Sequence, residues 1–154
     1  MISIRKATVE DLTTLLEFEQ GIIIAERPFN PTLKPDPISY YDLKEIILNE
    51  DSDVYVGETE GKVVCSASII IKPGKPYVKH EKHAYLGFMY VLPEFRGKGL
   101  NKLIMAQLKS WAAERGLTEL RLTVYAENLP AIKAYEKAGF KSLITEMRLN
   151  LEEE

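Results

Sequence analysis

Tyr90-Val91-Leu92-Pro93-Glu94-Phe95-Arg96-Gly97-Lys98-Gly99-Leu100-Asn101-Lys102 leads the chain out of an apolar strand, through a turn with two glycines, and into a helix. Such a turn presents consecutive backbone N–H groups at a helix N-terminus, where the first four lack intrahelical partners and the dipole is positive. The combination binds anions. Gly97 and Gly99 let a bulky anion come close to the backbone, and Arg96 and Lys98 add positive charge. A pyrophosphate fits. The nucleotide loop G-x-x-x-x-G-K-[ST] is absent, and the dinucleotide G-x-G-x-x-G would need glycine where Lys102 stands.

Downstream of this turn, Asn101 to Arg115 predicts a helix. Leu100, Leu103, Ile104, Leu108, Trp111 and Ala112 form its apolar stripe, and Gly116 stops it. Glu119–Val124 alternates as a strand. Asn128 caps a helix through Ala138, with Pro130 in its first turn and Gly139 at its end. Phe140 begins a final pair of strands up to about Leu151, and Glu152–Glu154 reads as a frayed acidic tail.

Upstream, Ala84–Val91 is a long apolar strand. Val54–Glu58 and Lys62–Lys72 form a hairpin across Glu60-Gly61. Ser39 predicts the cap of a helix running to Asn49. Residues 27–38 hold four prolines and form a loop long enough to suggest a function. Thr8, with Asp11 three residues on, caps the first helix, whose apolar face includes Leu12, Leu15, Leu16, Ile22 and Ile23. Ile2, Ile4 and Lys6 alternate as a short first strand. The order is β-α-α-β-β-β-α-β-α-β-β, a mixed α/β (α+β) fold rather than the regular alternation of a doubly wound sheet.

The 154 residues suit one domain spanning 1–154. No run approaches the ~20 apolar residues that span a bilayer, and the N-terminus lacks the apolar core of a signal peptide. Cys65 is the one cysteine, no Cys/His cluster has metal-ligand spacing, and a reducing cytoplasm is expected. The net charge of −3 and the lack of a long basic run argue against nucleic acid as the main partner. Neither a metal nor a membrane is expected.

A second segment pairs an asparagine cap with a tyrosine two turns later. It reads Asn128-Leu129-Pro130-Ala131-Ile132-Lys133-Ala134-Tyr135-Glu136-Lys137-Ala138-Gly139-Phe140. R-G-K-G-L-N after V-L-P-E-F, followed by N-x-x-A-I-x-x-Y-x-x-x-G-F, resembles the GNAT family of N-acetyltransferases, and the element order resembles that family's fold over essentially the whole chain. The resemblance implies an acetyl-CoA-dependent enzyme that acetylates an amine, and members often form dimers. It places the pantetheine arm on the backbone of Met89, Tyr90 and Val91, and the pyrophosphate on Arg96, Gly97, Lys98, Gly99, Leu100, Asn101 and Lys102. It also sets Asn128 against the pantetheine and Tyr135 beside the sulfur. Asn101 departs from the family's Gly or Ala; its amide can hydrogen-bond a phosphate oxygen.

A tyrosine hydroxyl beside the departing sulfur is suited to general acid work. The base stays open. An amine with pKa near 10.4 costs about 4–5 kcal/mol to deprotonate at pH 7, and the strand-five position where some members carry glutamate is Thr123. His83 shares one strand face with Tyr85, Gly87, Met89 and Val91, and Glu81, Glu127, Glu26 or a water relay are further candidates. The loop between the first two helices shapes the acceptor site in the family, which points to Glu26, Arg27, Phe29 and Asp36, and Tyr85 joins them from its strand. Two readings compete with a catalyst: an acyl-CoA-binding regulatory module on the same fold, and a nucleotide-binding protein using the glycine turn.

Overall fold

Strand pairing and helix burial build residues 1–123 around one sheet with helices against both of its faces. The computed structural model describes residues 1–153; Glu154, the end of the expected acidic tail, lies outside the described residues. The elements are β1 (Ser3–Lys6), α1 (Leu12–Glu26), α2 (Leu43–Leu48), β2 (Ser52–Thr59), β3 (Lys62–Pro73), β4 (Lys82–Val91), α3 (Leu100–Glu114), β5 (Leu120–Arg121) and α4 (Leu129–Lys137). They fall into two compact units, residues 1–123 and the residues from 124 onward.

In the first unit, β1 to β4 pair antiparallel in chain order and β5 joins β4 in parallel, giving a mixed five-stranded sheet. Glu60 and Gly61 both take positive φ in the β2–β3 turn, the conformation that matches hairpin twist. One sheet face packs on α1 and α2 through Leu15, Phe18, Ile22, Leu43, Ile46, Val54, Val56 and Phe88. On the other side, α3 buries Leu100, Ile104, Met105, Leu108, Trp111 and Ala112. The Trp111 indole N–H donates to Asp53 on β2 at 2.7 Å. Each large side chain in that stripe contributes roughly 1.5–3 kcal/mol by leaving water.

The capping box at Thr8 and Asp11 forms as expected, ahead of a short 3-10 turn that leads into α1. Three expectations need correction. Leu103 is exposed and Met105 takes its place. At 3.6 residues per turn, position 103 lies about 60° to one side of Leu100 while 104, 108, 111 and 112 lie on the other. Leu16 is likewise exposed, and Phe18 and Glu19 are buried. Helix α2 starts at Leu43 under an Asp42 cap (Oδ1 accepting from Glu45 N, 3.2 Å), not at Ser39. The N–H groups of Tyr40 and Tyr41 are already bonded to Glu19 Oε2, at 2.9 and 2.8 Å.

In the second unit, α4 carries the expected Asn128 cap, with Oδ1 accepting from Ala131 N at 3.4 Å. The expected final strands are not there. Among the described residues none after β5 lies in a strand, and β5 itself is two residues long rather than the expected Glu119–Val124. Residues 141–150 are without backbone partners for a ladder. A period-two pattern reports a preference for one buried face, whereas a strand also needs a neighbour. No described helix is long and apolar enough to cross a membrane.

Candidate active site

The glycine turn has the geometry its sequence demands. Gly97 and Gly99 adopt φ of +75° and +80°, and Gly99 occupies the N-cap of α3 in the left-handed conformation. No side chain caps this end of α3. A Cβ built on either glycine would meet nothing within 4 Å, so the glycines serve the backbone conformation and the open space in front of it. Arg96 to Gly99, Asn101 and Lys102 are exposed, while the buried Leu100 side chain anchors the turn in the core. Arg96 Nε donates to the Val91 carbonyl at 2.9 Å, and its guanidinium lies 5.7 Å from the Tyr90 ring centre. Lys98 Nζ stands 5.3 Å from the Phe95 ring centre. Both cations are thereby kept beside the turn.

Strand β4 approaches this turn with one edge open. Its pairing with β5 is confined to Ala84↔Leu120 and Tyr85↔Arg121. From Leu86 to Val91 no described strand pairs on that side, while β3 continues on the other as far as Cys65↔Val91. Met89, Tyr90 and Val91, the expected pantetheine residues, lie on this open stretch. The register shifts opposite Ser66–Ser68, and Phe88 takes φ of +51°, a bulge. Phe88 N–H donates to Tyr41 Oη at 3.3 Å, and the two rings pack 5.3 Å apart. The expected single face from His83 to Val91 is therefore broken. Phe88 and Tyr90 turn toward α1, where the Tyr90 ring packs 4.8 Å from Phe18.

Between the C-terminal end of α1 and β4 lies a polar cluster that contains several expected acceptor residues. Glu26 is half-buried; burial pushes its carboxyl above the usual range, with the Tyr40 hydroxyl pulling the other way. Burial, opposed by the Phe88 N–H, pushes the Tyr41 hydroxyl up to about 12, and Glu26, Tyr85 and Glu19 all bear on it electrostatically. The Tyr85 hydroxyl hydrogen-bonds to Thr123 Oγ1. Arg27 and Asp36 hold each other at 2.7 Å across the loop, so the Asp36 charge is already matched. Arg27 and Phe29 form a short 3-10 turn with Pro28.

His83 sits at the far end of β4, with its ring 5.2 Å from His80. Burial, then Arg121 and His80, push its imidazole below its ordinary value. Glu19, Tyr40 and Tyr41 carry no sequence signal for this site; only the folded chain assembles them.

In the second unit, Asn128 and Tyr135 are seven residues apart, about two turns, and so share one side of α4. The Tyr135 ring is set 6.0 Å edge-on to Phe140. Glu127 is exposed ahead of the Asn128 cap.

The model of the acetyltransferase (GNAT) family matches residues 20–140, a span that runs through both units. The chain belongs to the GNAT acetyltransferase family. It is an acyltransferase by that membership. Acetyltransferase SG1711 of Sodalis glossinidius is 31% identical over 131 residues, 81% of each chain. The fold is shared with a mutant BH1408 protein of Bacillus halodurans, with a TM-score of 0.87 at 22% identity over 97% of this chain and 99% of that one. It is shared also with a predicted acetyltransferase of Clostridium acetobutylicum solved with acetyl-CoA, with a TM-score of 0.74 at 22% identity over 100% and 99%. GNAT acetyltransferases use acetyl-CoA, and the glycine turn of this chain is exposed, with no side chain capping the helix end behind it.

Proposed function

We propose that this GNAT protein transfers the acetyl group of acetyl-CoA to a primary amine of a small molecule, peptide or protein by direct attack, with Tyr135 as general acid. The observation that carries this reading is the open left-handed turn at Gly97–Gly99, at the end of a β4 strand whose last six residues expose one edge. Acetyl-CoA, when bound, supplies the thioester and its thiolate leaving group. Backbone N–H groups from Gly97 to Lys102 hold the pyrophosphate, and the Asn101 amide, exposed in the first turn of α3, adds a donor. Met89, Tyr90 and Val91 offer backbone groups to the pantetheine. Asn128 Oδ1 is used in its cap, which leaves Nδ2 as the group that faces a ligand.

Tyr135 Oη carries the proton that the departing sulfur takes. Glu26 draws in the cationic amine, and its raised proton affinity suits it to accept the amine's proton. Tyr85 and Phe29 border that approach. Residues 1–154 act as one catalytic domain, which the family match across both units supports. The buried, unpaired Cys65 suits work in a reducing cytoplasm.

The test is thiol release from acetyl-CoA with amines, polyamines, amino acids, aminoglycosides and N-terminal peptides, beside Tyr135→Phe. One acceptor class is expected to give turnover, and the variant to lose about 10²-fold in kcat with acetyl-CoA affinity unchanged. Full turnover in the variant removes the acid role. Tight acetyl-CoA binding without turnover on any amine would make the chain a binding module.

A further inference from the structure

We infer that Lys72 binds an anionic group of the acceptor, so that the second substrate is an amine that also carries a carboxylate or a phosphate. The inference rests on the acetyl-transfer reading and names the chemical class of its acceptor.

Lys72, near the end of β3, lies opposite His83 on β4, and its ammonium stands 4.0 Å from the centre of the Tyr85 ring. The Tyr85 hydroxyl is bonded in turn to Thr123 Oγ1, which makes the ring a fixed seat. A ring face attracts a cation without neutralising it. Other cations of the chain are matched: Lys6 and Lys62 pair with Asp53 and Glu94 at 3.4 and 3.6 Å, and Arg121, next to Tyr85 across the sheet, pairs with Glu119 at 3.0 Å. Among the described residues, no carboxylate forms an ion pair with Lys72. Its surroundings are also short of negative charge. Residues 72–83 carry four exposed lysines and one carboxylate, in a chain whose net charge is −3. The nearby His83 imidazole is pushed down first by burial, then by Arg121 and His80, with Lys72 adding to them and Glu119 opposing.

The opposite charge stands at the other end of the same face. Tyr85 and Gly87 alternate onto that face ahead of the Phe88 bulge, and a Cβ on Gly87 would stand 3.9 Å from the Tyr41 ring. Glu26 and Tyr85 both bear on the Tyr41 hydroxyl. Alternate residues lie about 7 Å apart along a strand, so the stretch from Tyr41 to the Lys72 ammonium is on the scale of a small acceptor. Glu26 draws the amine to one end of it. A second ammonium at the other end would meet Lys72 as like charge, whereas a carboxylate or phosphate there would be paired.

The test uses matched acceptors that differ in charge, 6-aminohexanoate against 6-aminohexanamide and glucosamine 6-phosphate against glucosamine. Thiol release is followed in the wild type, Lys72→Met and Lys72→Arg. The charged member of at least one pair should have the lower KM by about fivefold, the upper end for one exposed ion pair, with kcat little changed. The pair that responds tells carboxylate from phosphate. Lys72→Met should equalise the two members and Lys72→Arg restore the difference. Equal KM values in the wild type, or a preference that survives Lys72→Met, would overturn the inference. If no acceptor turns over, the acetyl-transfer reading fails, and amide chemical shifts at residues 72 and 85 decide the anion site alone. Shifts at lower concentrations of the charged member, lost in Lys72→Met, would sustain it; shifts that do not distinguish the members, or none, would overturn it.

Discussion

Replacing Gly99 with alanine tests the pyrophosphate turn most directly. Gly99 sits at φ +80°, and an added Cβ would meet nothing within 4 Å, so no clash with the protein contributes. A left-handed conformation costs an L-residue about 1–2 kcal/mol. If the turn keeps its shape, the protein carries that cost and, for a chain of this length, melts about 2–8 °C lower. The new methyl group then occupies the space in front of the backbone where an anion would sit. If the turn relaxes instead, the strain disappears but the N–H groups of Gly99 to Lys102 no longer converge. Either route weakens acetyl-CoA binding, by about 10-fold or more. Gly116→Ala is the control: φ is +70°, a Cβ there also meets nothing, and the site lies beyond the other end of α3, about 22 Å away. It should show the melting loss with acetyl-CoA affinity intact. Calorimetric titration and thermal melts on both variants read the two quantities separately. Wild-type acetyl-CoA affinity in Gly99→Ala would refute a pyrophosphate lying against this turn.

Glu19→Ala leaves the N–H groups of Tyr40 and Tyr41 unpaired, and should cost about 2–5 kcal/mol in urea unfolding; a loss under about 1 kcal/mol would mean that the carboxylate does not hold this segment. In the pH profile of kcat/KM for the amine, the acid limb should lie above the ordinary carboxylate range, because Glu26 must lose its proton to act and burial raises its proton affinity. Glu26→Gln should abolish that limb and raise the amine KM, and an unchanged profile would remove Glu26 as base. Asp11 is held below its usual value first by the hydrogen bond from Arg5, so the pair stabilises the fold above the unfolded carboxylate pKa near ~4 and loses that contribution as pH falls through the lower folded value. Arg5→Met should therefore lower stability at pH 7 by about 1 kcal/mol or less, since solvent screens a side chain that is 35% exposed. The deficit should shrink below pH ~4 in urea melts.

What local chemistry dictates was legible in the sequence. The two glycines of the turn, the Thr8–Asp11 box, the Glu60-Gly61 hairpin and the Asn128 cap each rest on a conformation or a bond within four residues. The proposed roles of Asn128 and Tyr135 come from the resemblance, since no local rule supplies them. Other features depend on partners distant in sequence. Ser39 is a good cap by type, but it loses to Asp42 because Glu19, some twenty residues earlier, binds the intervening N–H groups. The bulge at Phe88 has no code of its own: a bulky residue at positive φ costs about 1–3 kcal/mol unless its surroundings hold it there. Residues 141–151 show the reverse case. Their alternation is plain in the sequence, yet among the described residues none of them pairs in a strand, because alternation alone supplies no neighbour.

Glu19 connects several of these features. A buried carboxylate is costly unless it is hydrogen-bonded; Glu19 Oε2 takes two consecutive backbone N–H groups, while Oε1 is buried without a partner among the described residues. That delays α2 and sets Tyr41 against β4, where its hydroxyl receives the Phe88 N–H. The bond supports the positive φ at Phe88, and the bulge reverses the facing of the residues that follow. Tyr90 consequently swings onto α1, so close to Gly21 that a Cβ there would fall 2.7 Å from its hydroxyl oxygen. With Tyr90 drawn to that side, the backbone of Met89 to Val91 is left along the open edge that leads into the glycine turn. The position of the proposed donor site thus depends on a glutamate that need never touch the donor.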